Sequence, residues 1–253
     1  MKQLSGRVAF VSGGARGIGA ATAEALVAAG ASVMLGDVLH EGAEVAARLS
    51  VDGGSARFCP LDVTNEQQWQ AALKSCEAEF GGVDILVNNA GVLHVSPMAE
   101  TTLADFRRVQ AVNVEGCFLG MKHATALIAA RAERWAGGGA IVNLCSIAGL
   151  VGSAQAVAYC ASKGAIRLMT KAAALECISL GNRVRVNSVH PGRVQTAMQD
   201  QVTRDLPDST RSGNLSPIAT PAQIADTIVF LCSDSSSFMT GSELVVDGGY
   251  SAQ

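Results

Sequence analysis

Val8-Ala9-Phe10-Val11-Ser12-Gly13-Gly14-Ala15-Arg16-Gly17-Ile18-Gly19 is the stretch that decides the fold. A short apolar burst runs into a glycine-rich turn, and a helical pattern follows from about Gly17 to Ala29, closed by Gly30. Strand, glycine turn and helix in that order make the first half of a βαβ unit. The pattern then repeats. Ser32-Val33-Met34-Leu35 ends at Gly36-Asp37 and precedes a helix from about Glu41 to Leu49. Arg57-Phe58-Cys59-Pro60-Leu61-Asp62 precedes a helix near Glu66 to Phe80. Asp84-Ile85-Leu86-Val87 precedes a helical stretch from about Leu103 to Trp135, whole or broken in two, that Gly137-Gly138-Gly139 stops. Ala140 to Leu144, Val184 to Val189 and Glu243 to Val246 read as further strands. The helices among them run from Ala158 to about Ser179 and from about Pro221 to Ser233. Short apolar strands alternating with helices predict the α/β class. The expected architecture is a single doubly wound Rossmann-type domain over residues 1–253. Its central parallel sheet should have about seven strands, with helices on both faces.

The glycine turn also predicts a ligand. Glycines between a first strand and a first helix allow a tight bend and let backbone approach a pyrophosphate at the helix N-terminus. The spacing G-x-x-x-G-x-G departs from the G-x-G-x-x-G fingerprint, so the supporting residue is Asp37, 20 positions past Gly17 at the end of the second strand. A carboxylate there can hold both hydroxyls of an adenosine ribose and repel the extra phosphate of NADP. Arg16 pulls the other way, because an arginine beside the loop can pair with a 2′-phosphate. No basic residue directly follows Asp37, where Val38 and Leu39 stand. NAD is therefore expected over NADP.

Ligands of doubly wound sheets sit outside the carboxyl ends of the strands. The later strand ends carry suitable groups. Asp62-Val63 can clamp an adenine, Asn89-Ala90-Gly91 can let a ribose lie against backbone, and the Ser146 hydroxyl can hydrogen-bond a carbonyl oxygen. His190-Pro191-Gly192-Arg193-Val194-Gln195-Thr196 follows the sixth strand. Singly each is ordinary turn chemistry; together they mark every successive strand end.

Tyr159 and Lys163 stand four apart at the start of the alanine-rich helix, so their side chains share one face. A phenol, with a reference pKa of about 10, is a poor base at neutral pH, and a fixed cation nearby favours its ionised form. Such a tyrosine can take a proton from an alcohol or give one to a carbonyl.

Composition bounds the alternatives. Hydrophobic residues make up 49% and charged ones 16% of the 253, enough for a large core. Nineteen basic against twenty-two acidic residues give a net charge of −3, which argues against nucleic acid or an anionic membrane as the main partner. The seven cysteines form no C-x-x-C pair and read as reduced, mostly buried residues of a cytoplasmic protein. No apolar run reads as a signal peptide or a membrane span.

Over essentially its whole length the chain resembles the short-chain dehydrogenase/reductase family. It matches the family's glycine loop, its N-N-A-G, its serine with Y-x-x-x-K, and its P-G-x-x-x-T. The resemblance implies four catalytic residues: Asn113, Ser146, Tyr159 and Lys163. Tyr159 would be the acid/base, Ser146 would position and polarise the carbonyl, and Lys163 would favour the phenolate and hold the nicotinamide ribose. Asn113 would hold a proton-relaying water. Cofactor-binding residues would be Ser12, Gly13, Arg16, Gly17, Ile18, Gly19, Asp37, Asp62, Val63, Asn89, Ala90, Gly91, Tyr159, Lys163, Pro191, Gly192, Val194 and Thr196. Ser12 stands where the family usually has threonine, and a hydroxyl is kept. The resemblance further implies a homotetramer. The ending Gly248-Gly249-Tyr250-Ser251-Ala252-Gln253 is similar to that of bacterial secondary-alcohol dehydrogenases, which suggests a structural magnesium at the Gln253 carboxylate.

The substrate side reads as apolar: Leu93, Val95, Leu150, Val151, Met198 and Leu206, with a substrate loop over about 193–220. Such a lining suits a ketone or secondary alcohol with bulky alicyclic, aryl or steroid substituents. A 3-oxoacyl-thioester reductase is the rival within the class, disfavoured by Asp37. A non-catalytic nucleotide-binding regulator is the rival outside it. His190 reads as a structural histidine, and His40, His94 and His123 show no ligand spacing.

Overall fold

The computed structural model describes residues 2–51, 55–200 and 217–252. Seven strands are β1 (Val8–Ser12), β2 (Ser32–Asp37), β3 (Ser55–Pro60), β4 (Ile85–Asn88), β5 (Gly139–Leu144), β6 (Val184–Pro191) and β7 (Glu243–Val246). They form one sheet in the order β3-β2-β1-β4-β5-β6-β7, every neighbour parallel. The helices are α1 (Gly17–Ala28), α2 (Glu41–Leu49), α3 (Glu66–Phe80), α4 (Leu103–Gln110), α5 (Gly116–Ala129), α6 (Val157–Leu180) and α7 (Pro221–Cys232).

β1, β4 and β5 at the middle of the sheet read as nearly unbroken apolar runs because helices cover both faces. Pleating sends alternate residues to opposite sides. Ala9 and Val11 join Leu26 of α1 and Ile224 and Ile228 of α7 in one core, whereas Val8 and Phe10 join Trp69 of α3, Met121 of α5 and Ile166 of α6 in the other. Trp69 is fully buried and its indole N–H donates to the Val63 carbonyl at 3.0 Å, so its polar atom does not oppose its burial.

The stretch from Leu103 to Trp135 departs from the sequence expectation. Between α4 and α5 the chain stays helical but widens to a π turn over Ala111–Glu115, where the Gly116 N–H donates to the Ala111 carbonyl five residues back. Asn113 sits inside this turn. Past α5 the helical stretch closes with a short 3-10 turn, Ala132–Arg134. Gly116 and Gly120 bring α5 hard against the sheet: a Cβ would meet Val63 Cγ2 at 2.7 Å in the first case and Asn88 Oδ1 at 2.2 Å in the second. β3 begins at Ser55 and β6 runs to Pro191, each longer than its apolar core.

β1 lies between β2 and β4, so the chain leaves it in opposite directions on its two sides. The crevice that results opens beyond Ser12, which pairs with Gly36 on one side and Asn88 on the other. β1, β2, β4, β5 and β6 end at this edge, and α1 and α6 begin there.

Candidate active site

The floor of the crevice is nearly all backbone. Gly13 has φ +67°, and a Cβ there would lie 2.7 Å from Ala90 Cα; a Cβ on Gly19 would lie 2.0 Å from the Gly13 carbonyl oxygen. Only glycine fits at either position, because the obstacle is backbone that cannot swing away. Arg16 precedes α1 in extended conformation and makes no side-chain cap, so the first N–H groups of the helix remain open to an anion. This cradle fits a pyrophosphate.

Ser12 and Asn89 hold the cradle's shape. The Ser12 hydroxyl accepts from the N–H groups of Asn89 and Ala90, each at 3.2 Å. The Asn89 amide donates to the carbonyls of Ser12 and Gly13 at 3.1 and 2.8 Å. Asp37, buried at the end of β2, accepts from Ala15 N at 2.9 Å and Leu39 N at 3.0 Å. Asp62 accepts from the backbone and hydroxyl of Thr64 at 2.9 and 2.7 Å.

Tyr159 lies in the first turn of α6, and Lys163 one turn on. The Lys163 ammonium stands 5.5 Å from the centre of the Tyr159 ring and donates to the Leu144 carbonyl at 2.7 Å. At 4% exposure Lys163 is no solvated surface lysine. Ser146 caps the 3-10 turn Ile147–Gly149, its hydroxyl accepting from Ala148 N at 3.1 Å. Its carbonyl meets His190 Nδ1 at 3.1 Å, and the Nε2 of that ring meets the Ser188 hydroxyl at 2.8 Å. Burial lowers the His190 pKa and keeps the ring neutral; with both nitrogens occupied it is a structural residue. Burial likewise raises Cys145, whose thiol donates to the Lys163 carbonyl at 3.0 Å.

The Asn113 side chain joins three elements of the site. Its Oδ1 accepts from Val92 N at 2.8 Å, and its Nδ2 donates to the Val92 carbonyl at 2.9 Å and the Ser162 hydroxyl at 3.0 Å. Ser162 in turn donates to the Tyr159 carbonyl at 2.7 Å. The amide thus locks the loop after β4 to the helix that carries the tyrosine.

These groups surround one cleft of about 810 Å³. Of the predicted residues, Gly13, Arg16, Gly17, Ile18, Asp37, Asp62, Val63, Asn89, Ala90 and Gly91 line one part of it, and Ser146, Tyr159, Lys163, Pro191, Gly192, Val194 and Thr196 another. Ser12, Gly19 and Asn113 stand behind its wall. Leu93, Val95, Val151 and Met198 line it as expected; Leu150 does not, because the 3-10 turn carries it past the cleft. Leu206, most of the 193–220 loop and Gln253 lie outside the described residues. Among the described residues no group of three or more His, Cys, Asp or Glu side chains could hold a metal. The sequence reading missed Gln155 and Tyr250, which also face the cleft. Positive φ at Gly248 and Gly249 turns the chain so that Tyr250 reaches it.

A family model described as enoyl-(acyl carrier protein) reductase matches residues 13–251. A 3-alpha-(or 20-beta)-hydroxysteroid dehydrogenase of Mycobacterium tuberculosis is 44% identical over 248 residues, covering 98% of this chain and 90% of the relative. A cyclopentanol dehydrogenase of Comamonas testosteroni is 43% identical over 257 residues, covering 100% of both. Among solved structures, a short-chain type dehydrogenase/reductase from Mycobacterium marinum superposes with a TM-score of 0.90 at 33% identity, covering 99% of this chain and 98% of that one.

Proposed function

The chain belongs to the short-chain dehydrogenase/reductase family, and on that premise we propose that it interconverts a cyclic secondary alcohol and its ketone with NAD as cofactor. It is an oxidoreductase acting on CH–OH groups and uses a nicotinamide cofactor. The observation that carries the reading is the meeting of Ser146, Tyr159 and Lys163 with the backbone cradle of Gly13 and Gly17 in one cleft. The named relatives are a cyclopentanol dehydrogenase and a hydroxysteroid dehydrogenase, both for alcohols of ring compounds, and Leu93, Val95, Val151 and Met198 give this cleft an apolar side for a ring.

Bound NAD supplies the two-electron acceptor for alcohol oxidation. The residues of the chain supply the rest. Tyr159 takes the hydroxyl proton from the alcohol in oxidation and returns it to the carbonyl oxygen in reduction. Ser146 holds that oxygen. The buried Lys163 ammonium, fixed by the Leu144 carbonyl, offsets the phenolate charge and faces the ribose side of the cleft beside Gly91, whose added Cβ would lie 3.8 Å from Nζ. Asn113 holds a proton-relaying water, and its side-chain amide, through Ser162, helps hold Tyr159 in place. Asp37 favours NAD over NADP by its charge at the ribose end.

Homotetramer formation is part of the proposal. Leu168, Leu175 and Ile178 lie exposed along one side of α6, and Phe230, Phe238 and Val245 lie exposed around α7 and β7. Exposed apolar residues in such groups mark contact surfaces. Following reduced nicotinamide by absorbance with NAD or NADP and a panel of cyclopentanol, cyclohexanol, a hydroxysteroid and a 3-oxoacyl thioester tests the activity. Turnover of the ring alcohols with NAD is expected. Turnover of the thioester alone would overturn the reading.

A further inference from the structure

Gln155 carries a backbone that glutamine does not favour. Its φ is +61°, one of two positive values outside glycine among the described residues, and left-handed backbone is uncommon for such a side chain. Glycine would hold the same turn without strain. The turn itself is fixed by the Gln155 carbonyl, which accepts from Ser96 N at 2.8 Å and so joins the loop after β4 to the approach to α6. That bond uses backbone only and does not account for the side chain.

Gln155 lines the cleft, two residues before α6 begins and four before Tyr159. Its amide makes no hydrogen bond among the described residues. The same cleft is lined by the apolar Leu93, Val95, Val151 and Ala154, with the hydroxyl-bearing Ser153 two residues before Gln155. Strained backbone next to chemistry is a pointer to function, and a small number of placed polar groups in a largely apolar lining is how pockets fix the orientation of a ligand.

Taking the proposed activity as the starting point, we propose that Gln155 reads a second, neutral oxygen on the substrate ring. A primary amide both donates and accepts. It can therefore accept from a hydroxyl and donate to a carbonyl, and it serves a diol, a hydroxyketone or a diketone alike. It offers no charge, so it does not single out a carboxylate. The preferred substrate is a ring alcohol already oxygenated at another position, and a reaction that hydroxylates or hydrates the ring must supply it.

The test compares kcat/KM for cyclohexanol and for the 1,2-, 1,3- and 1,4-cyclohexanediols with NAD, in the wild type, Gln155→Leu and Gln155→Gly. Gln155→Gly suits the backbone and guards against a folding failure in the other variant. At least one diol should exceed cyclohexanol by about tenfold or more in the wild type, because a site built to bond a hydroxyl rejects its absence. In both variants that ratio should collapse to within about threefold, chiefly through a raised KM for the diol. A wild type that oxidises cyclohexanol without preferring any diol, or a preference that survives both substitutions, overturns the role of Gln155. If none of these is oxidised while cyclopentanol or a hydroxysteroid is, the role of Gln155 falls and the proposed activity stands; if no ring alcohol is oxidised, the proposed activity falls and this inference with it.

Discussion

The carboxylate of Asp37 accepts a hydrogen bond from the backbone N–H of Ala15 at 2.9 Å, tying the last residue of β2 to the glycine loop after β1. On the proposed reading, the charge that would meet the ribose is held by the same turn that would receive the pyrophosphate. A 2′-phosphate would bring a like charge onto this fixed carboxylate, at a cost on the order of a few kcal/mol, or about a hundredfold in affinity. NAD should outperform NADP by about that factor in kcat/KM. Asp37→Asn keeps a carbonyl able to accept from Ala15 and should shrink the gap at least tenfold, by about 1.4 kcal/mol. A wild-type preference for NADP would show that Arg16 governs the choice.

Glu243 at the start of β7 meets Arg167 Nε at 2.8 Å and Lys171 Nζ at 2.7 Å, both from α6. Burial alone would raise its pKa, but the hydrogen bonds from the two cations outweigh it and bring the carboxyl from 4.5 down to about 2. The folded state therefore binds fewer protons than the unfolded one between those values. The contribution is complete above about 4.5 and is lost as pH falls toward about 2. Because both cations are partly exposed, solvent screening leaves about 1 kcal/mol. Glu243→Gln should lower the melting temperature at pH 7 by about 2–4 °C, and the difference should narrow as pH drops from about 5 to about 3. A difference independent of pH would mean that the ion pairs add nothing.

Leu168 and Leu175 are spaced seven apart and exposed on the same side of α6. In a tetramer built partly on this helix, glutamates at both positions would bury charge at the contact. The pair Leu168→Glu with Leu175→Glu should sediment as a smaller species than the wild type while keeping its circular dichroism. Identical sedimentation of the two proteins would place the contact elsewhere.

Much of this was readable in the residues, and what escaped has physical causes. Strand and helix alternation announced the doubly wound sheet because each βα turn is punctuated by glycine or an acid. Gly13, Asp37, Asn89, Ser146 and Thr196 stand at strand ends, and topology brings strand ends together without any long-range guess. The π turn around Asn113 was not legible, since no proline marks it and its residues suit an ordinary helix. That turn gives the Asn113 amide its bonds to Val92 and Ser162. Gln155 and Tyr250 were missed for a related reason. Each reaches the cleft through left-handed backbone, at Gln155 itself and at Gly248 and Gly249 before Tyr250, and apolar periodicity carries no sign of such turns.

The central claim is that the Tyr159 phenol moves the proton while the rest of the cleft holds the reactants. Removing only its oxygen, in Tyr159→Phe, tests this most directly when turnover of cyclopentanol and NADH binding by fluorescence titration are measured on the same folded preparation. Turnover should fall by at least about 10²–10⁴-fold, with NADH affinity changed by no more than about threefold, roughly half of the 1.4 kcal/mol that a tenfold change represents. Turnover close to that of the wild type, in a variant that folds and binds NADH, would contradict the account.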